Sequence, residues 1–110
     1  MSTLDVSMAL RNLNGNEQLY NKLLRRFADS NTKAGQDIRA ALDAGDDTTA
    51  LRLAHTLKGL AASLGAPALS AEALAVEQKI KDNGALPADG LDALEAELAQ
   101  MIAAINARLG

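Results

Sequence analysis

The sequence predicts an all-α fold: an antiparallel four-helix bundle with a short additional N-terminal helix. Three observations point there. Leu and Ala dominate an apolar fraction of 48%, and both are strong helix formers. Aromatic residues make up only 2%, Tyr20 and Phe27, and β-branched residues, which favour strands, are scarce. Apolar positions recur at helical spacing over long stretches, with no alternating strand pattern. A chain of 110 residues suits one core, so residues 1–110 are expected to form a single domain.

Five helical segments follow in order. The first is short, from Asp5 to Leu13, and Asn14-Gly15-Asn16 ends it with turn residues that also suit an N-cap. The second begins near Glu17. Its apolar positions Leu19, Leu23, Leu24, Phe27, Ala34, Ile38, Ala41 and Leu42 keep one phase, within a face of roughly 140°. Unbroken phase predicts one long helix ending at Ala44, with Gly45 as its C′ residue and a weak spot at Asn31, Thr32 and Gly35. The acidic run from Asp43 to Asp47 reads as a polar turn, and Asp46-Asp47-Thr48 opens the third segment with charges that suit a helix N-terminus. That segment runs to about Leu64, where Gly65 stops it. Ala66-Pro67 starts the fourth, with Pro67 at a tolerated first-turn position and Leu69, Ala73, Val76 and Ile80 along one face. It ends at Asn83-Gly84. A loop with Pro87 leads to the last segment, about Ala88 to Arg108, striped by Leu91, Leu94, Leu98, Met101, Ile102, Ile105 and Leu109.

Composition removes several function classes. The net charge is −3 and no basic cluster stands out, so nucleic acid is not an expected partner. Without cysteine there is no disulfide scaffold, thiolate zinc site or thiol nucleophile. No apolar run approaches the ~20 residues of a membrane span, and Met1-Ser2-Thr3-Leu4-Asp5 lacks the pattern of a secretory signal. No membrane association and a cytoplasmic location are therefore expected.

The one histidine lies on the third segment. With its direction as zero, Leu53, Leu57, Leu60 and Leu64 fall between about 140° and 200° away. Read as the core stripe, these leucines put His55 on the opposite, solvent side. Gly59 lies about 40° from it, Ala62 about 20° to the other side, Lys58 and Arg52 at about 60°, and Leu51 at about 40°. A glycine inside a helix costs ~1 kcal/mol relative to alanine. Here it clears space beside the imidazole for a partner or a phosphoryl group. Lys58 brings positive charge, while Leu51 and Ala62 add apolar surface that a docking partner can cover. Arg52 is a further candidate docking contact. Histidine is a nucleophile near neutral pH and can carry a phosphoryl group covalently. No acidic cluster beside it holds a metal, and a lone His without Cys or a second His makes no metal site. A metal would have to come from the partner.

The stretch Ala54-His55-Thr56-Leu57-Lys58-Gly59, followed by Ser63-Leu64-Gly65, resembles the signature of histidine phosphotransfer domains. The run from Gly15 to Tyr20 with Leu23-Leu24-Arg25-Arg26-Phe27, and the entry Ala41-Leu42-Asp43-Ala44-Gly45-Asp46, are also similar to that family. The resemblance implies a four-helix bundle whose exposed His55 is phosphorylated on Nε2 and assisted by Lys58. It implies response-regulator receiver domains, or a hybrid sensor histidine kinase, as partners, with Mg²⁺ on the receiver and no cofactor on this chain. It implies a carrier in a two-component phosphorelay, not an enzyme: neither ATP binding nor autokinase activity is expected. In some family members a polar side chain of the following helix lies against the histidine; Glu77 or Gln78 occupies that region, and Glu77 would accept from one imidazole nitrogen. A monomer suits the small core and exposed transfer face.

Three other readings compete. The dimerisation domain of a sensor kinase normally has an acidic residue after the histidine and a proline soon after; here Thr56 follows, and no proline precedes Pro67. The phosphotransfer domain of a chemotaxis-type kinase shares the His-x-x-Lys-Gly core. A purely structural bundle would give His55 no chemistry.

Overall fold

The computed structural model describes residues 4–87 and 89–110. Among these are six helices and no strand: α1 (Val6–Asn12), α2 (Glu17–Asn31), α3 (Ala34–Asp43), α4 (Asp47–Ser63), α5 (Pro67–Asn83) and α6 (Asp92–Leu109). Side chains start three of them. Asp5, Asn16 and Asp46 accept from the backbone N–H of Met8, Leu19 and Thr49 at 3.1, 3.0 and 3.0 Å. Each bond satisfies one of the amides that a helix start leaves unpaired. Gly45 (φ +74°) and Gly65 (φ +85°) end α3 and α4 in the left-handed conformation that glycine adopts without strain.

The long second segment divides. Asn31 Nδ2 and Thr32 Oγ1 donate to the carbonyls of Phe27 and Ala28, four residues back, at 3.2 and 2.6 Å. Such bonds compete with the backbone ladder. Lys33 (φ −105°, ψ 19°) leaves the helix, while Thr32 stays helical. One residue out of register preserves the apolar phase, which is why the pattern reads as continuous. Gly35 is buried against α6, where a Cβ would collide with the Glu95 side chain, so its role is close approach.

α2 and α3 together, α4, α5 and α6 form the four antiparallel arms, and α1 packs on α2. A helical run from Glu17 to Asp43 measures about 40 Å, which matches a molecular long axis of 41 Å. The last arm begins at Asp92, later than the expected Ala88, which lies outside the described residues. Gly90 N–H donates to Pro87 and Asp92 N–H to Asp89, so this stretch is used in turns before the helix starts. No helix among the described residues is long and apolar enough to cross a membrane.

The core joins all the arms through residues such as Leu24, Ile38, Leu57, Leu69, Ile80, Leu94, Met101 and Ile105. Tyr20 is fully buried and donates from its hydroxyl to the Leu64 carbonyl at 2.8 Å, tying α2 to the end of α4. Burial pushes its phenol pKa up, with Asp5 adding to this and Arg108 opposing it, so the hydroxyl stays a donor. The Arg108 guanidinium stacks 5.2 Å from the ring centre and donates to Asn21, fixing α6 on α2.

The inner face of α4 differs from the leucine stripe. The buried residues are Ala50, Ala54, Leu57 and Ala61, with Leu64 at the helix end. Leu53 is half-buried and Leu60 is 39% exposed. The core direction is thus turned about 60° from the centre of the leucines. Alanine explains the difference: a small side chain lets the neighbouring helix come close, so the closest contact falls on the alanine side of α4. His55 consequently sits on the flank of α4 toward α5.

Candidate functional site

The site is built by two antiparallel helices. His55 and Lys58 stand on the outer shoulder of α4, and Glu77 faces them from the middle of α5. Ala54 and Ala61 on α4 and Ala73 on α5, all buried, allow the helices to approach within reach of these side chains. Ser70 Oγ on α5, two turns before Glu77, also donates to the Lys58 carbonyl at 3.1 Å, clipping the pair together.

Glu77 is the hub. It is the buried charged residue among those described, with a side chain only 7% exposed, whereas the His55 side chain is 66% exposed. Glu77 Oε2 lies 3.2 Å from His55 Nδ1 and 3.4 Å from Lys81 Nζ, and Oε1 lies 3.1 Å from Lys58 Nζ. Burial alone would raise the Glu77 pKa. The Lys58 hydrogen bond and charge, joined by bonds from His55 and Lys81, outweigh burial and hold it below the ordinary 4.5. The carboxylate is therefore ionised near neutrality. An ionised carboxylate only accepts, so the proton of a neutral His55 ring belongs on Nδ1. Its Nε2 then carries the free lone pair, on the far side of an exposed ring.

Gly59 stands one turn further along α4. It is exposed, and a Cβ added there meets nothing within 4 Å. Packing among the described residues gives no reason for glycine at this position.

The model of the Hpt domain matches residues 22–107, which include both helices of the site. The chain belongs to the Hpt domain family. Members of this family perform histidine phosphotransfer in two-component phosphorelays; they are carriers and not kinases, and their partners in general are receiver domains and hybrid kinases. The crystal structure of the HPt domain from a sensor hybrid histidine kinase of Shewanella is similar in fold, with a TM-score of 0.80 over 97% of this chain and 93% of that one, at 24% identity. No curated protein matches the chain in sequence.

In this Hpt domain the residues singled out in the sequence fall into two groups. His55, Lys58 and Glu77 come together, and Gly59 and Ala62 are exposed on the same helix. Gln78 is exposed and takes no part in the cluster; Glu77 is buried rather than a surface residue. Leu51 is half-buried against the core, and exposed Arg52 acts electrostatically on Asp46, helping the Thr49 bonds to hold that carboxyl low. Two residues escaped the sequence reading. Lys81 was signalled by its i,i+4 spacing from Glu77. Leu60, part of the leucine stripe that periodicity places in the core, instead lines an open groove of about 400 Å³ with Leu23, Arg26 and Phe27 of α2.

Proposed function

We propose that His55 is the phosphoryl carrier of this Hpt domain and that Nε2 is the atom phosphorylated. The observation that carries this reading is the bond between Nδ1 and buried Glu77, which leaves Nε2 as the exposed nucleophile. In uptake, the Nε2 lone pair forms an N–P bond as the O–P bond of a receiver aspartyl phosphate breaks. The receiver carboxylate leaves with the electron pair, and the ring keeps its Nδ1 proton, whose positive charge Glu77 offsets. Return transfer reverses these steps. Lys58 is placed to neutralise charge on the moving group. Gly59 gives the partner close access, and Ala62, Arg52 and the outer edge of Leu51 belong to its footprint.

Receiver domains, free or within a hybrid sensor kinase, are the partners in this reading, and Mg²⁺ is held by their own acidic residues. ATP is bound elsewhere in the relay, so the domain carries but does not generate the phosphoryl group. We place it in the cytoplasm, acting as a monomer, since one exposed face suffices for transfer. The deciding experiment incubates the protein with labelled, phosphorylated receivers. Wild type takes up acid-labile, base-stable label and His55→Gln takes up none. Label on His55→Gln, or none on wild type from any of a receiver panel, overturns the assignment.

A further inference from the structure

We propose that Lys81 is a positioning residue for phosphotransfer: from one turn after Glu77 on α5, it holds the Glu77 carboxylate as an anion against His55 while Lys58 turns to the phosphoryl group. The inference rests on the assignment of His55 as carrier. Its starting point is a division of labour between two lysines on one carboxylate.

Lys58 occupies Oε1 at 3.1 Å, and Lys81 occupies Oε2 at 3.4 Å, the oxygen that also receives His55 Nδ1–H at 3.2 Å. Both cations cannot serve the same purpose during transfer. Lys58 is three residues from His55 on the same helix face, so its side chain can swing to an oxygen of a phosphoryl group on Nε2. Doing so removes the partner of Oε1. A buried carboxylate left with a neutral donor alone is costly, and it is driven to take a proton. Once protonated, Glu77 no longer opposes the positive charge that the ring gains when its Nε2–P bond forms. Lys81 prevents this. It lies one turn after Glu77, and its side chain is 59% exposed, so water solvates the ammonium while the ion pair persists. With ionised Glu77 and both lysines, the cluster carries one net positive charge before any phosphoryl group arrives, and one lysine can leave without stranding the carboxylate.

The test separates the two lysines. Methionine keeps the aliphatic stem and removes the charge, so Lys58→Met, Lys81→Met and the double variant are made, with Lys81→Arg as the charge-retaining control. The Glu77 carboxyl is titrated by carbon NMR in the unphosphorylated protein. In Lys58→Met it stays ionised into acid; in the double variant it titrates higher by about one unit or more. In parallel, Lys81→Met slows phosphoryl uptake from a labelled receiver by roughly three- to tenfold, and Lys81→Arg restores it. If the double variant titrates with Lys58→Met, or if Lys81→Met transfers at the wild-type rate, the role assigned to Lys81 is wrong. If Lys81→Arg behaves like Lys81→Met, charge is not the cause and the inference also falls. Failure of the carrier assignment is distinguishable: wild type then takes no label, whatever Glu77 does.

Discussion

The two flanks of α4 are built on opposite principles. Toward α5, alanines draw the helices together and charge closes the seam, with Glu77 gripping the imidazole and two lysines gripping Glu77. Toward α2, leucine and phenylalanine hold the helices apart at the surface and leave an open apolar groove edged by Arg26 and Leu60. One flank fixes the inner nitrogen of His55. The other, with Gly59 beside it, remains uncovered. A carrier that must be reached by partners needs both: a nucleophile whose proton is settled before the encounter, and a neighbouring surface that stays unoccupied until then.

The closed flank breaks most severely at its hub. Glu77→Ala removes the acceptor of Nδ1 and leaves two cations beside the ring. Transfer should fall roughly 10- to 100-fold, the scale of a misplaced reacting group. Stability should fall by only about 1–2 kcal/mol, because both lysines are partly solvated. Stopped-flow transfer and urea denaturation measure the two effects. A large loss of stability with unchanged transfer would make the cluster structural.

The open flank should answer in the reverse sense. Gly59→Gln fills space that none of the described residues occupies and removes an unfavourable helical glycine, so it should raise stability by up to about 1 kcal/mol. Leu60→Glu changes a residue 39% exposed and should cost at most about 1 kcal/mol. Both should nonetheless weaken receiver docking, by about tenfold for Leu60→Glu, equivalent to ~1.4 kcal/mol. Receiver titration by calorimetry gives the affinities. Unchanged affinity in both variants would place the docking face elsewhere.

Local signals in the sequence foretold the helices better than the way they pack. Helix type and most boundaries were legible because caps and stops are local: Asp5, Asn16, Asp46, Gly45, Gly65 and Gly84 act within a few residues of their own position. The division at Lys33 was legible only as a weak spot at Asn31, Thr32 and Gly35, because a single residue leaving the helix does not disturb the apolar phase. The exposure of His55 was legible from its distance to the apolar residues of α4. Which flank it occupied was implied by the family resemblance but not by periodicity. Periodicity weighs leucine above alanine, yet the closest packing followed the alanines, turning the core direction and moving Leu60 to the surface. The family resemblance pointed to Glu77 or Gln78, but periodicity did not show that Glu77 is buried, since its burial depends on how near α5 lies to α4, a property of the pair and not of either segment.

The smallest expected effect is the pH dependence of the closed flank, and its sign follows from Glu77. The folded-state pKa of this carboxyl lies below its ordinary 4.5, so between the two values the unfolded chain binds more protons than the folded one. Stability therefore rises with pH across that window. The contribution is fully present above the ordinary value and is lost as pH falls through the folded one. Asp46, held below its ordinary 3.8 first by its Thr49 hydrogen bonds, acts in the same direction. Glu77→Gln isolates the first contribution, because glutamine still accepts from Nδ1 but does not titrate. Urea midpoints between pH 7 and pH 3 should show wild type losing more stability than Glu77→Gln on acidification, with the gap between the two curves closing below the ordinary carboxylate range. Parallel curves would mean that the lysines do not hold Glu77 ionised in solution, and the closed flank would then owe its order to packing rather than to charge.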